Sequence, residues 1–170
     1  MRISSFIGGA VFALMAYAGC ASAGPAPVEK SAAVVELFTS QGCSSCPPAD
    51  ALLGKLAERP GYIALSFSVD YWDYLGWHDT LASAANSERQ RAYAKARGDG
   101  RVYTPQIVVD GVVHVNGADE DAVKEAVASA EKRLANSKVP VSMRSDGDTL
   151  VIDIAAAPER AAYRAATVWL

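Results

Sequence analysis

Two cysteines three residues apart, in Cys43-Ser44-Ser45-Cys46, are the residues of this chain best suited to chemistry. That spacing brings two sulfurs within bonding reach when the second one opens a helix. A thiol placed there lies near the positive end of the helix dipole, which favours the thiolate, the nucleophile of thiol–disulfide exchange. Cys43 is therefore expected to attack, and Cys46, one turn further in and shielded, to resolve the mixed disulfide. The same pair would make half of a zinc site, but such a site needs four ligands and only His78 and His114 remain to complete it. A purely structural bridge is the other alternative. So short a loop adds little stability, which favours a chemical purpose.

Other residues suit the same chemistry. Thr104-Pro105 precedes a strand expected to lie opposite the cysteines. A cis bond there would open the backbone of Thr104 to an extended substrate and keep metal off the thiolates; a trans proline starting a strand is the plain alternative. Glu36 has apolar neighbours on both sides. Buried, it would take the proton from Cys46; facing an open sheet, it would only be solvated. Trp72, Tyr74 and Trp77 lie in an aromatic and acidic stretch from Asp70 to Asp79. They are candidates for holding an unfolded peptide, against the alternative of packing as a lid over a small core. His78 in that loop is read as polar surface, and His114, alternating with Val113 and Val115, as facing solvent.

The elements that must position these groups are legible in outline. Ala33 to Thr39 is a short apolar run fit for a buried strand. Pro47 and Pro48 suit the first turn of a helix reaching about Glu58, and Arg59-Pro60-Gly61 stops it. Tyr62 to Val69 is a second strand. Ser87 and Gln90 have capping-box spacing at the head of a helix to Arg97, with Gly98 at its end. Ile107 to Val109 and Val112 to Val115 flank Asp110-Gly111, a strong hairpin signal. Asp119 caps a last helix to about Leu134. Strands separated by helices imply a parallel βαβ unit, here with an antiparallel hairpin added. The expectation is an α/β thioredoxin fold, a mixed sheet flanked by helices, over residues 33–136. Val139 to Met143, Thr149 to Ile154 and Tyr163 to Leu170 read as further strands. Residues 137–170 are thus expected to begin a β-rich segment of a longer protein.

The chain has 170 residues, a formal net charge of −3 and a pI near 5.4, without any cluster of Lys and Arg. A nucleic-acid binder would need a basic footprint, so that class is set aside. Residues 1–23 read as a signal peptide: Arg2, then the uncharged run Phe6 to Ala18, then Ala21-Ser22-Ala23 before a linker over 24–32. The run is too short for the roughly 20 residues of a membrane span. A second variant is a lipoprotein box at Ala18-Gly19-Cys20, although Tyr17 stands where leucine is usual. Cys20 goes to the leader or to lipid in either case, leaving Cys43 and Cys46 as the only pair in an oxidising compartment.

Several strings of this chain resemble a known group. Glu36-Leu37-Phe38-Thr39-Ser40-Gln41-Gly42-Cys43-Ser44-Ser45-Cys46-Pro47-Pro48-Ala49-Asp50 is similar to the exported bacterial, thioredoxin-like family designated domain of unknown function twelve twenty-three. So are Val69 to Trp77, Arg89-Gln90-Arg91-Ala92-Tyr93 and Tyr103-Thr104-Pro105-Gln106. The resemblance implies this fold, export to the periplasm or beyond, and a β-rich continuation; it implies no settled activity. Better-known thioredoxins have a tryptophan where this chain has Gly42, and here Ser-Ser separates the cysteines and two prolines follow. A Ser-Ser pair offers no positive charge to deepen the thiolate, so an intermediate redox potential is expected. The reading is an exported thiol–disulfide oxidoreductase with no cofactor and no metal, acting on protein thiols and reset by a redox partner. Membrane contact enters only through a lipidated Cys20. The rivals are a copper(I)-handling module using Cys43, Cys46 and His78, and a non-catalytic binding domain with a structural disulfide.

Overall fold

The computed structural model describes residues 33–158. The leader, Cys20, the linker and the strand expected at Tyr163–Leu170 lie outside the described residues.

Strand β1 (Ala33–Thr39) is the centre of the molecule. Its neighbours are β2 (Tyr62–Ser68), parallel to it, and β3 (Gln106–Val109), antiparallel; β4 (Val113–Asn116) runs antiparallel to β3 at the far edge. The order β2-β1-β3-β4 leaves β1 and β3 covered on both faces, which is why both read as nearly unbroken apolar runs. Helices α1 (Pro47–Ala57), α2 (Ala84–Arg97) and α3 (Glu120–Leu134) pack around it. This is a mixed α/β fold with a four-stranded mixed sheet and three helices.

Alternation along β1 divides the core. Val35 and Leu37, with Ile107 and Val109 of β3, face Leu52, Leu53 and Leu56 of α1 and Val123, Ala126 and Ala130 of α3. Glu36 and Phe38 point to the other side, where Phe38, Val69 and Val108 pack with Phe67, Tyr71, Trp72 and Tyr93. The first face is held tight at Gly117. A Cβ there would meet Leu37 Cδ1 at 3.0 Å, Ala49 Cβ at 3.1 Å and Ile107 Cγ1 at 3.2 Å. The hairpin forms at Asp110-Gly111 as its sequence predicts, both residues at positive φ (48° and 72°), with the Val112 N–H donating to the Val109 carbonyl at 3.0 Å. Asp110 also fastens the hairpin to β1, its carboxylate accepting from the Val34 N–H at 2.8 Å.

Helix α2 begins earlier than its capping-box signal suggests. Ser83 is the N-cap, its hydroxyl accepting from the Asn86 N–H at 3.2 Å, and two strong helix formers, Ala84 and Ala85, follow it. Ser87 and Gln90, read from sequence as the cap, lie inside the helix and are completely buried. Ser87 instead donates to the Asp70 carboxylate at 2.5 Å and accepts from the Asp70 N–H at 3.2 Å, tying α2 to the loop after β2. Beyond α3, β5 (Val141–Asp146) and β6 (Thr149–Ile154) pair as a separate two-stranded sheet around Gly147.

Candidate functional site

The end of β1 delivers the chain into the loop from Ser40 to Cys46. Ser40, buried under the sheet edge, shapes it: its hydroxyl accepts from the Gly42 N–H at 3.1 Å and its carbonyl from the Cys43 N–H at 3.1 Å. Cys43 and Cys46 are joined as a disulfide with their Cα atoms 5.4 Å apart. Cys46 is the N-cap of α1. Cys46 is fully buried and Cys43 is 3 % exposed, while Ser44, Ser45, Pro47 and Pro48 around them are exposed. The bridge therefore lies one residue layer beneath the surface, less open than an attacking sulfur at a helix mouth was expected to be.

The helix entrance also differs from the simplest electrostatic expectation. Pro47 and Pro48 occupy its first two positions and carry no N–H. The next two donors, Ala49 and Asp50, both give their N–H to the Cys46 carbonyl, at 2.9 and 3.1 Å. The first turn thus has no N–H free to meet a thiolate, and only the dipole of the remaining helix acts on the sulfurs. The Ser45 hydroxyl lies beside the bridge, its Oγ 3.5 Å from Cys43 Sγ.

Three sequence-predicted residues converge beside this loop. The register pairs Phe38 with Gln106, so Pro105 falls next to Thr39, where β1 releases the cysteine loop. The Thr104–Pro105 peptide is cis. Trp72 reaches across, its indole Nε1 donating to Thr104 Oγ1 at 2.8 Å, and its Cβ backs onto Gly42, where an added Cβ would lie 3.1 Å away. Gly42 is therefore small because Trp72 occupies the flank of the loop. Trp77 joins from the same segment: its Nε1 donates to Gln41 Oε1 at 2.8 Å, yet the residue is 60 % exposed. Tyr74 is 78 % exposed and projects from the short 3-10 turn Asp73–Leu75. Trp72 is packed as the lid alternative expects, whereas Tyr74, Leu75, Trp77 and Leu81 form an exposed apolar fringe.

Glu36 is buried, the first of its two alternatives, and its carboxylate turns toward α2. Val35 and Leu37 beside it face α1, the helix that Cys46 caps, so by strand alternation Glu36 points to the opposite face. Its carboxylate pairs with Arg89 of α2, whose guanidinium sits 5.3 Å from the Phe67 ring centroid and 5.2 Å from that of Tyr93. A carboxylate held by a cation across the sheet from Cys46 is a fastening for α2, and its assignment as proton acceptor is withdrawn. Burial and the Glu36 carboxylate push the Tyr93 hydroxyl well above the usual phenol range, so it stays protonated beside Arg89.

Of the two histidines, His78 keeps its sequence reading as polar surface and His114 does not. His78 is on the surface, paired with Asp73 at 2.5 Å. Among the described residues no three of His, Cys, Asp and Glu gather as metal ligands, so His78 does not complete a copper set with Cys43 and Cys46. His114 does not face solvent. Tyr103 Oη lies 2.9 Å from its Nδ1 and Asp99 lies 3.1 Å from its Nε2, in a setting built by the loop that follows α2. Its strand stands at the sheet edge, but that loop folds over it.

Sequence reasoning missed the residues that hold the loops together. Asp79 is almost fully buried, and its carboxylate accepts from the Gln41 N–H at 2.9 Å and the Leu81 N–H at 2.9 Å, stapling the aromatic loop to the cysteine loop. Gln90 and Gln106, both completely buried, bond to one another at 2.8 Å. Their spacing carries no motif; the only trace is a glutamine in an otherwise apolar strand and another within a helix.

A search of the curated proteins finds no match. Among solved structures, the crystal structure of a protein from Agrobacterium tumefaciens is similar, with 49 % identity and a TM-score of 0.66. The similarity covers 75 % of this chain and 57 % of that one, so the chain spans little more than half the length of that relative. A family model described as protein of unknown function (DUF1223) matches residues 34–170, and the chain belongs to that family.

Proposed function

We propose that this domain is a thioredoxin-type thiol–disulfide oxidoreductase of an exported protein, acting on protein thiols through Cys43 and Cys46. One observation carries the reading: a disulfide closes the turn that leads into α1, with Cys46 at the helix N-cap and exposed residues on either side. Thr104–Pro105 and the exposed aromatics Tyr74 and Trp77 stand on the loops around it. A bridge enclosing two residues does not brace the fold, since α1 and β1 are already joined by the apolar core. Such a bridge is suited to an oxidising compartment, periplasmic or extracellular.

The chemistry is an exchange of partners. A substrate thiolate attacks Cys43 Sγ, the Cys43–Cys46 bond breaks, and the sulfur of Cys46 leaves as a thiolate that takes up a proton. The substrate's second thiol gives up its proton and attacks the mixed disulfide. Cys43 is released, and the two electrons have passed from the substrate dithiol to the protein's pair. The reverse sequence reduces a substrate disulfide. A second dithiol–disulfide protein resets the pair by the same steps. Thr104 and Pro105 present the substrate backbone, while Tyr74 and Trp77 contact its apolar side chains.

Reduction of the insulin interchain disulfides by dithiothreitol is expected to speed up with the wild-type protein and to show only background with Cys43→Ser. Cys46→Ala is expected to trap mixed disulfides in cells. A Cys43→Ser protein as active as wild type would end the proposal.

A further inference from the structure

A chain of hydrogen bonds, buried between Gln90 and Gln106 and part-buried elsewhere, runs from the aromatic loop to the far edge of the sheet, and the disulfide chemistry makes no use of it. The Tyr71 hydroxyl donates to Gln90 Oε1 at 3.1 Å. Gln90 Nε2 donates to the Tyr103 carbonyl and to Gln106 Oε1, both at 2.8 Å. Gln106 Nε2 donates to the Arg101 carbonyl at 3.2 Å and to His114 Nδ1 at 3.3 Å. His114 Nε2 in turn lies 3.1 Å from the Asp99 carboxylate. Every amide has one orientation that serves all its neighbours, because the carbonyls of Tyr103 and Arg101 can only accept. That orientation requires a neutral His114, with its proton on Nε2 and its lone pair on Nδ1.

A second proton on His114 reverses the last link. Nδ1–H would then face the NH2 of Gln106, donor against donor. The Tyr103 hydroxyl can rotate and accept, but Gln106 has to turn its amide over, which strips the Arg101 carbonyl of its donor. The NH2 of Gln106 then faces the NH2 of Gln90, which has to turn as well and abandon the Tyr103 carbonyl. Those two carbonyls lie just before Thr104 and Pro105. Thr104 is also the acceptor for Trp72 over the cysteine loop.

We propose that Gln90, Gln106 and His114 form a proton-sensitive relay that sets the position of Tyr103–Thr104–Pro105 beside the disulfide. The charged and titratable groups facing His114 are Arg97 at the end of α2, Asp99 and Arg101 in the loop after it, and Tyr103 before β3; Arg133 of α3 lines the same concavity. Asp99 favours the imidazolium, while burial, Arg97 and Arg101 oppose it more strongly, so His114 takes up its proton below the ordinary histidine range. The inference rests on the proposed role of Thr104 and Pro105, but the relay itself can be tested without turnover.

The experiment is a pH titration by NMR of His78→Gln, which leaves His114 as the chain's only histidine. The Trp72 indole N–H and the Thr104 amide N–H are expected to shift with the same midpoint as the His114 ring. With Gln106→Met added, the His114 midpoint is expected to rise, because no amide donor opposes Nδ1–H, and the Trp72 and Thr104 signals no longer follow it. Flat Trp72 and Thr104 signals while His114 titrates in His78→Gln would overturn the relay, with or without a foldable Gln106 variant. So would a His114 that stays neutral until acid unfolding. Insulin reduction measured on the same protein separates the two ideas: linked titration without turnover removes the oxidoreductase reading alone, and turnover with flat signals removes the relay alone.

Discussion

At the scale of single residues, the cysteine site is set by what the helix entrance lacks. Pro47 and Pro48 remove two backbone donors, which leaves Ser45 as the polar neighbour of Cys43. On reduction the Ser45 hydroxyl is positioned to donate to the Cys43 thiolate. A hydrogen bond to a charged group contributes roughly 1.5–3 kcal/mol, so its loss is equivalent to about one or two pH units of thiolate formation. Ser45→Ala is accordingly expected to lower the thiolate absorbance of reduced protein at neutral pH, whereas Ser44→Ala, at an exposed position, leaves it unchanged. Pro47→Ala returns a donor to the first turn and is expected to raise that absorbance. A titration of Ser45→Ala that overlays wild type would remove Ser45 from the site.

At the scale of elements, the two loops around the disulfide behave as one body because Asp79 bonds to both. Asp79→Ala frees the Gln41 N–H and the Leu81 N–H together. It is expected to cost about 2–4 kcal/mol in urea unfolding, from two hydrogen bonds to a buried carboxylate. It should also speed reduction of the bridge by dithiothreitol, because the cover over Cys43 loosens. Equal reduction rates in the two proteins would show that access to the bridge does not depend on that staple. On the α1 side of the sheet, Gly117→Ala pushes a methyl group into Leu37, Ala49 and Ile107. Overpacking of this kind costs about 1–3 kcal/mol. A thermal shift measurement on Gly117→Ala is expected to show a clear loss.

At the scale of the whole molecule, stability should carry the mark of His114. Its folded-state pKa is lowered, first by burial and then by the charge of Arg97. The unfolded chain therefore binds the proton more readily, and this contribution is complete above the ordinary histidine value of about 6.5. It is lost as the pH falls through the lower folded value. Urea midpoints are expected to decline between about pH 7 and pH 5 more steeply in wild type than in His114→Gln. Parallel declines would contradict the half-buried setting of His114 beside Arg97. The Asp99 carboxyl, held down to about 2 by its hydrogen bonds with Arg97 and the Arg101 backbone, stays charged throughout that window.

The order of elements, the β1 boundaries, the Asp110-Gly111 hairpin, the Asp119 cap and the Cys43–Cys46 pair could be read from sequence, because each depends on neighbours a few residues away. Proline at a helix start or glycine in a tight turn acts through local backbone sterics, which the chain carries wherever it goes. The destinations of Glu36, His114, Gln90 and Asp79 were decided only by tertiary structure. The face on which Glu36 is buried depends on which helix covers it, and the partners of His114 come from a loop that follows another element. Long-range pairings such as Asp79 with Gln41 leave no periodic trace, since their energy arises only once separate segments are folded together.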